Sequence, residues 1–177
     1  MRLTREIVTR RFVIREFRPS DAEQFLAYQT DPAFTIFHHQ EELGTAQAQR
    51  VFQLFLDWQE STPRDNYQFA VSPLHDDSEL IGCCGIRMEG CAPNEAVFGV
   101  ELARPYWGRY RYPHEISEAL ISWGFDALKL SALIADTAFE NTAVARLAES
   151  AGFVRTHASD KQWWRLDRAS WIGAATG

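Results

Sequence analysis

One run constrains this chain more than any other: EAVFGVELARPYWGRYRY, residues 95–112, continued by PHEISEALISWGFDAL. Residues 96–102 have the apolar density of a buried strand, Gly108 marks a sharp turn, and the following stretch has the apolar spacing of a helix. A strand that turns abruptly into a helix leaves the first helical N–H groups without carbonyl partners. It also aims the positive end of the helix dipole at the turn. Such a turn suits a phosphate, and Arg109 and Arg111 add positive charge to it. Pro113 fits a first helical position, where no partner awaits an N–H; it also removes a donor, so an anion cradle must draw on earlier amides. A helix-start turn with no ligand is the plainer alternative, because one glycine turn is weak evidence by itself.

Around this run the chain reads as strand, two helices, three strands, helix, strand, helix and two strands. Residues 11–17 predict the first strand, with Phe12, Ile14 and Phe17 divided between its faces. Ser20 and Glu23 resemble a capping box for a helix reaching Gln29. Residues 34–44 read as a loop or short helix. Residues 45–60 predict a second helix with Val51, Leu54, Phe55 and Trp58 on its apolar side. Residues 67–72 and 79–88 predict two strands, and Gly82 and Gly85 in the second suggest a bulge or a close backbone approach. Ile116, Leu120, Trp123 and Ala127 mark the stripe of the third long helix. A short strand at 132–135, a helix at 142–151 and strands at 153–157 and 162–167 complete the pattern. No repeat or linker divides the chain, so a single domain over residues 1–177 of the α+β class is expected.

The formal net charge of −6 argues against a general nucleic-acid binder, which needs a basic stripe, and favours a cationic substrate such as an amine. No apolar run approaches the roughly 18 residues of a membrane span, and the opening MRLTREIVTRR lacks a secretory apolar stretch. Cys83, Cys84 and Cys91 form no disulfide framework; they read as small core residues or mildly reactive thiols, and a cytoplasmic protein without membrane association is expected. His38-His39 could line a substrate loop or bind metal, but no second cluster has metal-ligand spacing, so no metal is expected. A homodimer is compatible with the sequence, which does not fix the oligomeric state.

Three segments in order carry a family resemblance: TRRFVIREFRPSDAEQF from Thr9, the run from Gly99 to Tyr112, and Phe139-Glu140-Asn141 through Ala151-Gly152-Phe153. Together they resemble the GNAT superfamily of acyl-CoA-dependent N-acetyltransferases, and within it the branch of ribosomal-protein N-terminal acetyltransferases. The resemblance spans about residues 9–167. It implies a single-domain α+β GNAT-like fold: a mixed, mostly antiparallel twisted sheet of about seven strands, flanked by about four helices and split by a CoA cleft. It implies acetyl transfer from acetyl-CoA to a primary amine by direct attack in a ternary complex. The acceptor would be a protein N-terminus or a small molecule such as a polyamine or an antibiotic.

The resemblance also implies positions. The strand at 96–102 splays from its neighbour, and the backbone of Val100 and Leu102 pairs with the pantetheine arm, where a backbone N–H can also polarise the thioester carbonyl. The pyrophosphate sits over Gly108, Arg109, Tyr110, Arg111 and Tyr112. Asn141 hydrogen-bonds the arm, or caps the helix that follows it; the two roles are compatible. Glu95 and Glu101 share a strand face by the period of two. Glu101 is closer to the expected splay, and Glu95 matches a place where relatives hold a catalytic Glu. Either could take the amine's proton directly or through water, and either could be an ordinary strand carboxylate. Departures from the family pattern are Pro105, Tyr110 in place of a small residue, and Val144 in place of a Ser. They keep open a non-catalytic binder of the same fold; a donor with a longer acyl chain is a third reading. His114 reads as structural rather than as a base, and Trp163, Trp164 and Trp171 as core residues before a substrate wall.

Overall fold

The computed structural model describes residues 6–37 and 44–171. In chain order its main elements are β1 (Ile7–Val8), β2 (Phe12–Glu16), α1 (Ala22–Gln29), α2 (Thr45–Glu60), β3 (Asn66–Pro73), β4 (Gly82–Arg87) and β5 (Glu95–Leu102). Then come α3 (Tyr112–Ala127), β6 (Ala132–Thr137), α4 (Thr142–Ser150), β7 (Val154–Ala158) and β8 (Gln162–Asp167). The strands form one sheet in the order β1-β2-β3-β4-β5-β6-β8-β7. Every neighbouring pair is antiparallel except β5 and β6, which run parallel. This is the α+β architecture the sequence predicts, with one strand more.

Side chains alternate across the central strands, and both faces are covered, so β3 is buried along its whole length. Phe69, Val71, Cys84 and Ile86 face one core with Ile116 and Leu120 of α3. Ala70 and Cys83 face the other, an aromatic cluster of Phe17, Phe25, Phe52 and Phe55 under α1 and α2. Phe25 is fully buried, its ring 5.3 Å from both Tyr28 and Phe52. The adjacent cysteines point to opposite faces for the same reason. Gly82 and Gly85 mark close approaches: a Cβ on Gly82 would lie 2.2 Å from the carbonyl oxygen of Glu101, and one on Gly85 would lie 2.1 Å from Gln68 Oε1.

Local details depart from expectation for identifiable reasons. β1 lies inside the charged opening stretch and pairs with β2 through Ile7↔Ile14 and Val8↔Val13, too short a strand to show periodicity. β4 begins at Gly82 rather than near residue 79, because the turn after β3 extends further. Ser20 does not cap α1: Asp21 holds the N-cap position without a side-chain bond into the helix, its Oδ2 accepting the Arg18 N–H at 2.7 Å while pairing with the buried Arg15 at 2.8 Å. A guanidinium buried to 2% exposure needs such a partner, and that need recruits the carboxylate. On α2 the stripe is rotated, with Ala48, Phe52 and Phe55 buried and Leu54 43% exposed. His38 and His39 lie outside the described residues.

Candidate active site

The parallel pair of β5 and β6 holds only from Glu95↔Ala132 to Val97↔Ile134. Beyond it β5 continues beside β4 alone, reaching Leu102 opposite Gly82. β6 continues beside β8 alone, with Ala135 opposite Trp164 and Thr137 opposite Gln162. The sheet therefore opens into a wedge between residues 98–102 and 135–137.

Backbone alternation decides what β5 shows to this wedge. Ala103 donates its N–H to Ile81, on the β4 side, at 2.8 Å. Successive residues of a strand turn their N–H and C=O to opposite sides, so Val100 and Leu102 face the wedge. The Leu102 carbonyl already accepts the Trp107 indole N–H at 2.6 Å. Val100 can thus offer both groups to a ligand, and Leu102 its N–H.

A short 3-10 turn, Arg104–Tyr106, leads from β5 into the loop. Gly108, Tyr110 and Arg111 have φ of 65°, 45° and 59°, all left-handed. Arg111 caps α3, placing Pro113 second in the helix rather than first. The amide of Tyr112 goes to Arg109 O at 3.0 Å, and those of His114 and Glu115 go to Arg111 O. Among the described residues no well-formed hydrogen bond takes up the amides of Gly108, Arg109, Tyr110 or Arg111. Consecutive unbonded amides before a helix have the chemistry to receive an anion, which the positive end of the helix dipole favours. Arg109 and Arg111 are exposed and carry no ion pair among the described residues.

The Tyr110 side chain projects from this loop into solvent. It is 74% exposed and its ring leans on Tyr112, 5.8 Å between centroids. Tyr112 in turn packs edge-on against Phe12 at 4.9 Å, beneath the Arg11 guanidinium at 4.7 Å. The ring thus leans toward β2, on the side of the sheet away from β6. Arg11 braces the loop: its Nη2 donates to Tyr110 O at 2.9 Å, and its Nε meets Glu115 at 2.6 Å. Burial opposes ionisation of Glu115, but hydrogen bonds from Thr9 and Arg11 outweigh it and hold the carboxyl below its ordinary range. A cavity of about 490 Å³ opens on this same side, between Arg10, Arg11, His75, Glu79, Tyr106 and Tyr112. Glu101, Val100 and Asn141 do not line it, so it is separate from the wedge.

The two carboxylates of β5 differ sharply. Glu95 stands where β5 and β6 are still paired, and its Oε1 accepts from Arg165 of β8 at 2.8 Å. Glu101 is six positions further along, roughly 20 Å away at strand rise, beside the open wedge. Its Oε1 accepts from Tyr28 at 3.0 Å, Gln29 at 2.6 Å and Cys83 at 3.0 Å. No cation pairs with it among the described residues. Sequence reasoning missed Tyr28 and Gln29, which lie 73 and 72 residues from Glu101 with no local signal.

Asn141 is the N-cap of α4, its Oδ1 accepting the Val144 N–H at 3.3 Å. The cap uses the oxygen and leaves the amide NH₂ as a donor. Burial, helped by Arg111, lowers the pKa of His114, whose Nδ1 is buried without a partner. Trp164 is buried with its N–H on Thr137 at 3.0 Å, Trp163 stacks on His157, and Trp171 packs near Phe125. No group of three potential metal ligands is found among the described residues, and no helix there is long and apolar enough to cross a membrane.

The sheet thus splits between β5 and β6 beside a loop whose amides at residues 108–111 have no hydrogen-bond partner among the described residues. Residues 11–154 match the model of the acetyltransferase (GNAT) domain family. The chain belongs to that family, whose members are acyl-CoA-dependent N-acyltransferases that use acetyl-CoA. Its fold is similar to an acetyltransferase from Agrobacterium tumefaciens, with 20% identity, a TM-score of 0.77, and 93% and 95% of the two chains covered. It is also similar to a ribosomal-protein-S5-alanine acetyltransferase from Vibrio fischeri, at 15% identity and a TM-score of 0.76 over 95% and 99% of the chains. A spermidine N-acetyltransferase from Vibrio cholerae, solved with CoA and spermine, shares 13% identity at a TM-score of 0.76 over 92% and 98%. No curated protein sequence matches the chain.

Proposed function

We propose that this chain transfers an acetyl group from acetyl-CoA to a primary amine, with Glu101 accepting the amine's proton. The observation that carries this reading is the position of Glu101: a carboxylate on β5 beside the wedge that no cation among the described residues neutralises. Acetyl-CoA supplies a thioester; the amine nitrogen forms a bond to its carbonyl carbon as the carbon–sulfur bond breaks, and the thiolate leaves. Val100 and the Leu102 N–H hold the pantetheine arm, and a backbone N–H there polarises the carbonyl. The amides at Gly108, Arg109, Tyr110 and Arg111 take the pyrophosphate at the start of α3, where Tyr112 stands. Asn141 contributes its NH₂ while its oxygen caps α4. Of the two strand carboxylates, Glu101 is the base in this reading and Glu95 serves its ion pair with Arg165.

The acceptor is a protein N-terminus or a small aliphatic amine. Likeness to the ribosomal-protein and spermidine enzymes supports both chemistries, and the segment from Thr9 supports the ribosomal-protein branch. Three free cysteines and a cytosolic co-substrate support a cytoplasmic setting. A non-catalytic role would be favoured by a Tyr110 ring inside the anion site; its lean toward Tyr112 favours the enzyme. Thiol release from acetyl-CoA across a panel of N-terminal peptides and polyamines tests the reading. Glu101→Gln should lower the turnover of the best acceptor by about 10²- to 10⁴-fold, the range of general base catalysis. Turnover unchanged by that substitution would remove Glu101 from the chemistry.

A further inference from the structure

Three neutral donors converge on a single oxygen of Glu101. The Tyr28 hydroxyl at 3.0 Å, the Gln29 amide at 2.6 Å and the Cys83 thiol at 3.0 Å all reach Oε1. Cys83 in turn accepts from Gln68 Nε2 at 3.2 Å, so the array continues into β3. A carboxylate offers about four lone-pair sites over its two oxygens; with three donors on Oε1, that atom is saturated. Oε2 is the atom left to accept.

The donors cannot readily change role. Burial, followed by the neighbouring Cys83 and Glu101, pushes the Tyr28 phenol well above its ordinary value. Burial and then Glu101 push the Cys83 thiol well up. Both stay protonated at physiological pH and keep donating. They come from different elements, α1 and β4, which fixes the carboxylate on two sides. What they do not supply is positive charge. Other partly buried carboxylates show the contrast: Glu95 has Arg165, Glu16 has Arg64 and Glu115 has Arg11. Among the described residues Glu101 has hydrogen bonds without a cation, as Glu79 does with Tyr106, but Glu101 alone of these stands on β5 beside the wedge, where a cationic group could pair with it.

We propose that Tyr28, Gln29 and Cys83 are positioning residues that fix Glu101 so that its Oε2 receives the ammonium group of the acceptor. This rests on the acetyl-transfer reading of Glu101. Tyr28 and Gln29 close the last turn of α1, so the base is oriented from that helix as well as from β4.

Double-mutant kinetics test it. Tyr28→Phe, Gln29→Met and Cys83→Ala are assayed singly and in a Glu101→Gln background, with kcat/KM for an aliphatic amine and the Kd for acetyl-CoA measured for each. Each single change should lower kcat/KM for the amine by about tenfold and leave acetyl-CoA affinity unchanged. In the Glu101→Gln background the further loss should be under about twofold, because residues acting through one group are non-additive. Equal losses in both backgrounds, or no loss at all, would overturn the proposal. Gln29 is only half-buried, so Gln29→Met keeps the test decisive if a core change impairs folding. A native protein that binds acetyl-CoA yet acetylates no amine overturns the transfer reading, and this proposal with it; an active one with additive variants overturns this proposal alone.

Discussion

Arg11 and Tyr110, 99 residues apart, are joined by a 2.9 Å hydrogen bond from the guanidinium Nη2 to the backbone carbonyl. The same side chain pairs with Glu115 and covers the Tyr112 ring, so the residue before β2 braces the loop of residues 108–111 and the first turn of α3 together. Replacing Arg11 by Ala should release the loop. We expect acetyl-CoA to bind about tenfold more weakly by titration calorimetry, with a stability loss of about 1–2 kcal/mol from the partly exposed pair and its hydrogen bonds. An unchanged Kd would mean that the loop holds its shape without this brace.

Acid should loosen the same junction. Glu115 has a folded pKa lowered from 4.5, because the hydrogen bonds from Thr9 and Arg11 outweigh burial. A lowered carboxyl contributes stability that is complete above its unfolded value and is lost as pH falls through its folded value. Thermal midpoints of the native protein and Glu115→Gln should therefore differ most above about pH 4.5 and converge below it. A gap that persists into strong acid would contradict this linkage.

Tyr110 holds a left-handed backbone that costs a side-chain-bearing residue about 1–2 kcal/mol, and its ring is largely in solvent. Tyr110→Gly relieves that strain while loosening the unfolded chain by a similar amount. Stability should change by less than about 1 kcal/mol, and acetyl-CoA affinity should hold or improve. An affinity loss of more than about tenfold, 1.4 kcal/mol, would show that the ring contacts the ligand.

Asn141 offers two separable roles. Asn141→Asp keeps an oxygen for the Val144 N–H, whereas Asn141→Ala removes the cap and should cost about 1 kcal/mol in thermal or denaturant unfolding. Both substitutions remove the NH₂ donor, so both should weaken acetyl-CoA binding. If Asn141→Asp binds as tightly as the native protein, Asn141 is a cap and nothing more.

Much of the frame was legible because it rests on local pattern. The bounds of α2 and β8 agree with prediction, and the strand–turn–helix run from Glu95 to Ala127 was readable from its glycine, proline and apolar spacing. Other features depend on long-range partners. Period two puts Glu95 and Glu101 on one face and cannot separate them; Arg165, 70 residues beyond Glu95, does. The Asp21 carboxylate serves the buried Arg15 rather than a cap on α1, a partner that local spacing does not reveal. Cys83 was closer to hand: an antiparallel hairpin of β4 and β5 sets it opposite Glu101. Tyr28 and Gln29 reach that carboxylate only through the packing of α1 on the sheet, which no local spacing encodes.

In the proposed function the wedge between β5 and β6 and the amides of residues 108–111 form one acetyl-CoA site. Thermal unfolding of the full chain during an acetyl-CoA titration tests it most directly. At a hundred times the dissociation constant the ligand should add about 2.7 kcal/mol. For a chain of this length that raises the midpoint by roughly 5–10 °C. A midpoint that does not move at millimolar acetyl-CoA would rule such a site out.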